Sequence, residues 1–144
     1  MKMTAYFIIA SFFSLLACDN SKKTTGTMND TANLNGTWEL NYISGPRIAF
    51  EGLYPEKKPS ITFDVSGNMV SGSTSCNNFN GKLNVTGKKI NFKDPMAMTR
   101  MLCPGEGENT FMETLKKVDS WSVTDRNTLN LIMGDIAMMR FTRK

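Results

Sequence analysis

Histidine is missing from the whole chain of 144 residues. It is the usual general base near neutral pH and the commonest metal ligand, so its absence removes Ser-His-Asp and Cys-His catalysis and most zinc sites. Also missing is a Cys-x-x-Cys turn, the arrangement a dithiol oxidoreductase places at a helix start. No basic run exceeds two residues, as in Lys22-Lys23, Lys57-Lys58, Lys88-Lys89 and Lys116-Lys117. The formal charge of +4 is therefore spread over a solvated surface, and nucleic acid is not an expected partner. Nor does any apolar run reach the roughly twenty residues that a membrane-spanning helix needs. What remains, 40% apolar and 21% charged, suits a single folded domain.

The hydrophobic run that stands out lies at the start. In MKMTAYFIIASFFSLLA, Lys2 precedes an apolar stretch of about a dozen residues, Ala5 to Leu16, closed by small Ala17, the layout of an export signal rather than of a buried helix. Leu15-Leu16-Ala17-Cys18 resembles the bacterial lipobox. That resemblance implies cleavage before Cys18, diacylation of its sulfur and acylation of the new amine, with cleavage before an unmodified Cys18 as the alternative. Two or three acyl chains would anchor the protein stably where one would hold it marginally. Residues 1–17 are thus expected to be a lipoprotein signal peptide. Residues 18–33, polar and without apolar periodicity, are expected to be a flexible tether, with the folded domain over 34–144. The expected address is the cell envelope, on the outer membrane, facing the periplasm or the cell surface.

An odd cysteine count in an exported chain leaves one thiol over. With Cys18 lipidated, Cys76 and Cys103 remain in a compartment where disulfides persist, and a bond between them is expected. Closing that loop is worth about 3.5 kcal/mol in the chain-entropy account. Two reduced, buried thiols are the alternative, and the missing Cys-x-x-Cys turn weighs against a redox pair.

From Leu34 onward the pattern has period two. GTWELNYI puts Trp38, Leu40 and Tyr42 on one face, and SITFDV puts Ile61, Phe63 and Val65 inward. Ser66-Gly67-Asn68 reads as a hairpin turn into MVSGSTS, and GKLNVT and KKINF follow around Gly87. DSWSVT, TLNLIM and IAMMRFT close the chain. A two-residue turn at Gly134-Asp135 would bring Ile136 and Met138 to the face of Leu129 and Leu131; the larger Phe141 favours a bulge or longer loop that turns Met139 and Phe141 inward. One helix is expected in PGEGENTFMETLKKV, where Phe111, Met112, Leu115 and Val118 share a face, with Glu106 and Glu108 at its start and Lys116 and Lys117 at its end. The fold class is mainly β with one packed α-helix (α+β): a compact antiparallel barrel or strongly curved sheet of seven or eight strands.

Four segments in order, LNGTWEL, SGSTSCNNFNG, AMTRMLCPG and ENTFMETL, resemble the META domain, the HslJ-like family of bacterial envelope lipoproteins. The resemblance runs from about Asn33 to Thr142. It implies one antiparallel β-barrel or curved sheet with a helix, and a link to heat-shock, stress and antibiotic tolerance rather than to a defined reaction. The motif residues it marks are Gly72, Asn77, Phe79, Gly81, Thr99 and Arg100. Ser75 departs from the pattern, because many members carry glycine there. In SGSTSCNNFNG, Gly72 allows close backbone approach, the asparagines tolerate left-handed conformations and CNNFNG makes a corner pinned by Cys76. Phe79 is expected in the core beside the bridge, with Gly81 freeing the next strand to begin.

Three sharper chemistries compete. Met96, Met98, Met101 and Cys103 offer soft donors for copper(I), yet an extended chain puts Met96 and Met98 on one face and Met101 and Cys103 on the other, and a disulfide consumes the thiolate. Methionine packing is the alternative. A barrel could carry a small apolar ligand, though one core this size is expected to be filled by side chains. Glu106 with Glu108, or Asp64 with Asp94, offers paired carboxylates, but the first pair is explained by the helix start. Arg100 is expected to hold a carboxylate or carbonyl inside the fold, or else a ligand. The expectation is a non-catalytic, monomeric protein without cofactor or metal, held to a membrane through Cys18 and acting through contact with another envelope protein.

Overall fold

Alternating strands with one apolar face must bury that face, and an antiparallel meander can do so by curling on itself. The computed structural model describes residues 27–144, with side chains from Asp30 onward; the segment expected to be a signal peptide, 1–17, Cys18 and the first part of the expected tether lie outside the described residues. Along the chain run α1 (Thr27–Ala32), β1 (Gly36–Ile43), α2 (Phe50–Leu53), β2 (Ser60–Asp64), β3 (Met69–Ser73), β4 (Asn78–Lys82), β5 (Asn84–Thr86), β6 (Lys89–Asn91), β7 (Ala97–Met98), α3 (Gly107–Lys117), β8 (Ser120–Thr124), β9 (Thr128–Met133) and β10 (Ile136–Arg143). The ten strands form one sheet in the order β5-β6-β8-β9-β10-β1-β2-β3-β4-β7. β4 lies near one end of that order and β5 at the other, yet only Leu83 separates them in the chain. The sheet must therefore curl until its ends approach, which makes it a half-barrel.

Its interior is filled by side chains. Trp38, Trp121, Phe63, Phe79, Phe92, Phe111 and Phe141 are among the largest fully buried groups. Trp38 Nε1 donates to the Leu34 carbonyl at 2.8 Å, and the Arg143 guanidinium lies 4.0 Å above its ring. That guanidinium also donates to the carbonyls of Asn33 and Asn35, fastening the start of the domain to its last strand.

Seven or eight strands become ten for two reasons. GKLNVT breaks at Leu83, whose buried side chain turns the corner between β4 and β5. Ala97 and Met98 add a two-residue strand by pairing with Asn80 and Phe79. The corner expected over CNNFNG is also shorter: it is confined to the turn at 74–77, and β4 begins at Asn78 because Asn78, Phe79, Asn80 and Gly81 pair with Ser73, Gly72, Ser71 and Val70. Gly81 thus lies inside a strand rather than ahead of one. Two bulges set the faces. In β10 the register shifts between Ala137 and Met139, so that Met139 and Phe141 are both buried. In β1 it shifts between Leu40 and Tyr42, which turns Tyr42 outward, 42% exposed under Arg140, and sends Ile43 into the core instead.

Three helices are present among the described residues where one was expected. α1 covers the end of the segment read as a tether, and α2 is a single turn in the β1–β2 connection that buries Leu53. α3 packs its buried face against the core of the half-barrel. Phe111 and Leu115 point inward, with the Phe111 ring 5.8 Å from that of Phe79. Gly107 lets the helix start press against α2, because a Cβ there would lie 2.6 Å from the Leu53 carbonyl oxygen. Tyr54 Oη donates to the Gly107 carbonyl at 3.0 Å, and burial pushes the Tyr54 phenol up to about 12.

Candidate functional site

The motif residues converge on one corner. β3 ends at Ser73, and the chain reverses through a turn in which the Thr74 N–H donates to the Asn77 carbonyl at 2.8 Å and the Asn77 N–H to Thr74 Oγ1 at 3.0 Å. Ser75, at φ +84°, occupies the left-handed region between them, where a Cβ is strained. Cys76 follows and is joined to Cys103 across 27 positions, with an S–S distance of 2.05 Å.

Asn77, 1% exposed, is the hub. Its Oδ1 accepts from Thr99 Oγ1 and from the Met101 N–H, each at 2.8 Å. Its Nδ2 donates to the Met101 carbonyl at 3.1 Å, approaches Cys103 Sγ at 3.0 Å and reaches Glu108 Oε1 at 3.3 Å. An amide, donor at one end and acceptor at the other, is the side chain that can hold both backbone groups of Met101 at once. Thr99 Oγ1 also accepts from the Asn78 N–H at 3.0 Å, and Thr74 Oγ1 donates to Glu108 Oε2 at 2.7 Å. The clasp thus ties β4, the 99–103 loop and the first turn of α3 together by side-chain amide, hydroxyl, carboxylate and disulfide.

Beside it opens a cleft of about 360 Å³ lined by Met96, Met98, Thr99, Arg100, Met101, Asn77 and Glu108. Sequence spacing had set Met101 opposite Met96 and Met98. The chain leaves its strand after Met98 and bends around the Asn77 amide, which brings all three methionines to one cleft. A ligand atom from each of Cys76, Cys103 and Glu108 lies within 4.8 Å of the others, but the two sulfurs are bonded to each other and carry no thiolate. Arg100, expected to hold a carboxylate or carbonyl inside the fold or else a ligand, is exposed at the cleft, and the backbone of its neighbour Met101 is held by Asn77.

The remaining motif positions are structural. At Gly72 a Cβ would collide with the Ser60 carbonyl oxygen and lie 2.6 Å from Phe79 Cζ, so the Phe79 ring covers the glycine opposite it. At Gly81 a Cβ would come within 3.0 Å of the Met96 side chain. The carboxylate pairs are dispersed. Asp64 accepts from the Gly67 N–H and the Ser66 hydroxyl, which hold it below the usual carboxylate range, and Asp94 accepts from Asn84 at 2.9 Å. Glu106 stands at the start of α3 without a side-chain capping bond, while Glu108 enters the clasp. The roles of Thr74 and Glu108 were missed from sequence; the helix-start charge of Glu108 was the one signal available.

The META domain family model matches residues 31–144. The chain belongs to the META domain family. Among solved structures, this META domain is similar to a protein from Burkholderia xenovorans determined by NMR, with a TM-score of 0.62, 22% identity and coverage of 79% of this chain and 86% of that one. It is also similar to a DUF4847 family protein from Bacteroides vulgatus, with a TM-score of 0.53, 15% identity and coverage of 79% and 96%. At these identities the likeness establishes the fold. No curated protein matches the chain. Among the described residues no helix is long and apolar enough to cross a membrane.

Proposed function

We propose that this protein is a lipid-anchored bacterial envelope protein whose META domain is a non-catalytic scaffold, contributing to stress tolerance through contact with another protein. The observation that carries the reading is the state of the motif residues. Asn77, Thr74, Thr99 and Glu108 bond to one another and to the backbone, and Cys76 and Cys103 to each other. Groups so engaged hold a loop in place; none is set as a nucleophile beside a base. The aromatic filling of the half-barrel supports a scaffold over a carrier of apolar ligands. Export and acylation rest on residues 1–18, where the charged start, apolar run and Leu15-Leu16-Ala17-Cys18 have the pattern of a lipoprotein signal.

Two measurements test this reading. Intact mass of the protein isolated from membranes is expected to show loss of residues 1–17 and addition of acyl groups at Cys18; an unacylated chain would remove the anchor. Crosslinking in intact cells, read by mass spectrometry, is expected to return one recurrent protein partner. Recovery of the domain with no partner under stress would remove the scaffold.

A further inference from the structure

β7 is the last strand of the sheet and pairs on one side only. The Thr99 N–H donates to the Asn78 carbonyl at 3.0 Å, so the backbone of Thr99 and, by alternation, of Ala97 faces β4, while the N–H and C=O of Met98 point away from it. They meet no backbone partner among the described residues. Beside β7 lie two clefts. The cleft at the clasp and a second of about 360 Å³ share Met96 and Met98; the first reaches Glu108 at the start of α3, and the second reaches Met112 and Lys116 further along it. The two clefts therefore adjoin at Met96 and Met98 as a groove between an edge strand and a helix, with thioether side chains along it and the open N–H and C=O of Met98 at its strand edge.

We propose that this groove binds an extended acidic peptide segment of a partner protein, added to β7 as an antiparallel or parallel strand against α3. From Glu108 to Lys116 the helix advances about 12 Å at 1.5 Å per residue, room for about four residues of extended chain. Main-chain bonds to Met98 would supply affinity, and Met96, Met98 and Met112, flexible and polarizable, would accept alternate apolar side chains of varied shape. Charge selects the occupant. The two clefts are lined by three cations, Lys93, Arg100 and Lys116, against two anions, Glu108 and Asp94, a net charge of 3 − 2 = +1, and neither Arg100 at one end nor Lys116 at the other forms an ion pair among the described residues. The chain's own residues 18–26 fit poorly, since they carry Lys22 and Lys23 against a single acid, Asp19. The inference rests on the scaffold reading and gives its contact a place and a chemistry.

The test uses isotope-labelled protein and two fluorescent peptides built from Glu-Val and Lys-Val repeats. The Glu-Val peptide is expected to bind, to move the amide signals of 96–101 and 108–116, and to weaken with salt. Arg100→Glu combined with Lys116→Glu should lower its affinity about tenfold or more. Met98→Pro, which deletes a donor that the β4 ladder does not use, should do the same with the remaining spectrum unchanged. Equal binding of the Lys-Val peptide, shifts confined to another face, self-association through the same amides, or no binding at about 1 mM peptide would each overturn the proposal. A partner crosslinked in cells through a different face overturns it and leaves the scaffold standing; absence of any partner removes the scaffold itself.

Discussion

Replacing Asn77 tests whether the clasp holds the corner as its geometry requires. Asn77→Ala leaves the Met101 N–H, the Met101 carbonyl and the Thr99 hydroxyl without their present partner at a site where Asn77 is 1% exposed. At about 1–1.5 kcal/mol for each of the three orphaned groups, the expected loss is about 3–4.5 kcal/mol. Asn77→Asp keeps the shape and inverts the donor end. The new carboxylate oxygen takes the place of an amide 3.3 Å from Glu108 Oε1 and 3.1 Å from the Met101 carbonyl oxygen. Two carboxylates that close repel by about 5 kcal/mol at an effective dielectric near 20, so the pair takes up a proton, at a cost of about 4 kcal/mol at neutral pH. The shared folded-state pKa is then raised above the unfolded one. The lost stability therefore returns as pH falls, by about 1.4 kcal/mol per unit toward the carboxylate range. Urea unfolding followed by tryptophan fluorescence, near neutral pH and near pH 5, reads both effects. A loss below about 1 kcal/mol for Asn77→Ala, or an Asn77→Asp loss that ignores pH, would refute the hub.

Ser75→Gly relieves a left-handed residue at φ +84° and should raise stability by about 1 kcal/mol, seen as a higher thermal midpoint; no gain would mean that the turn is unstrained. Gly72→Ala drives a Cβ into the Ser60 carbonyl and the Phe79 ring, and a loss of about 2–4 kcal/mol is expected from denaturant unfolding, with near-wild-type stability as the contrary result. Burial raises Tyr54 from 10.0 to about 12, so the protonated phenol favours folding: its contribution is whole below pH 10.0 and is lost as pH rises through about 12. Two pKa units correspond to about 2.7 kcal/mol. Alkaline unfolding curves for Tyr54→Phe should lack that part of the pH dependence, and identical curves would show that the phenol is not buried in solution.

The half-barrel was legible where one rule acted alone. Period-two alternation placed Trp38, Ile61, Phe63, Leu129 and Leu131 inside, and the size of Phe141 over Ile136 forecast the bulge that turns Met139 and Phe141 inward. Sequence failed where tertiary partners override local preference. NFNGK has two asparagines and a glycine, a poor strand by propensity, yet it is a strand because β3 supplies its partners and Phe79 covers Gly72. β7, two residues long, has no periodicity to read. Tyr42 alternated correctly with Trp38 and Leu40 until the bulge between Leu40 and Tyr42 reversed the parity. The clasp was half legible. Its residues were marked as a motif, but Glu108 lies 34 positions from Thr74 and 31 from Asn77, and no local pattern signals a contact that only the placement of α3 creates.

That division bears on where function resides. A side chain whose hydrogen-bonding capacity is filled from within can fix geometry but has little left for a partner, and the clasp residues are of that kind. The groups left over around it are those the clasp itself presents. By gripping both backbone groups of Met101, Asn77 holds the loop that carries Arg100 to the cleft, and by bonding the Thr99 hydroxyl it secures the residue that sets β7 in register. The disulfide fixes the far end of the same loop at Cys103, and the Thr74 hydroxyl on Glu108 fixes the near end of α3. Both walls of the groove are therefore referred to one buried amide. It follows that Asn77→Ala should weaken peptide capture by more than the unfolded fraction accounts for, because the protein that remains folded would have a looser groove. If binding scaled with the folded population alone, the clasp would be a stabilising device with no bearing on recognition.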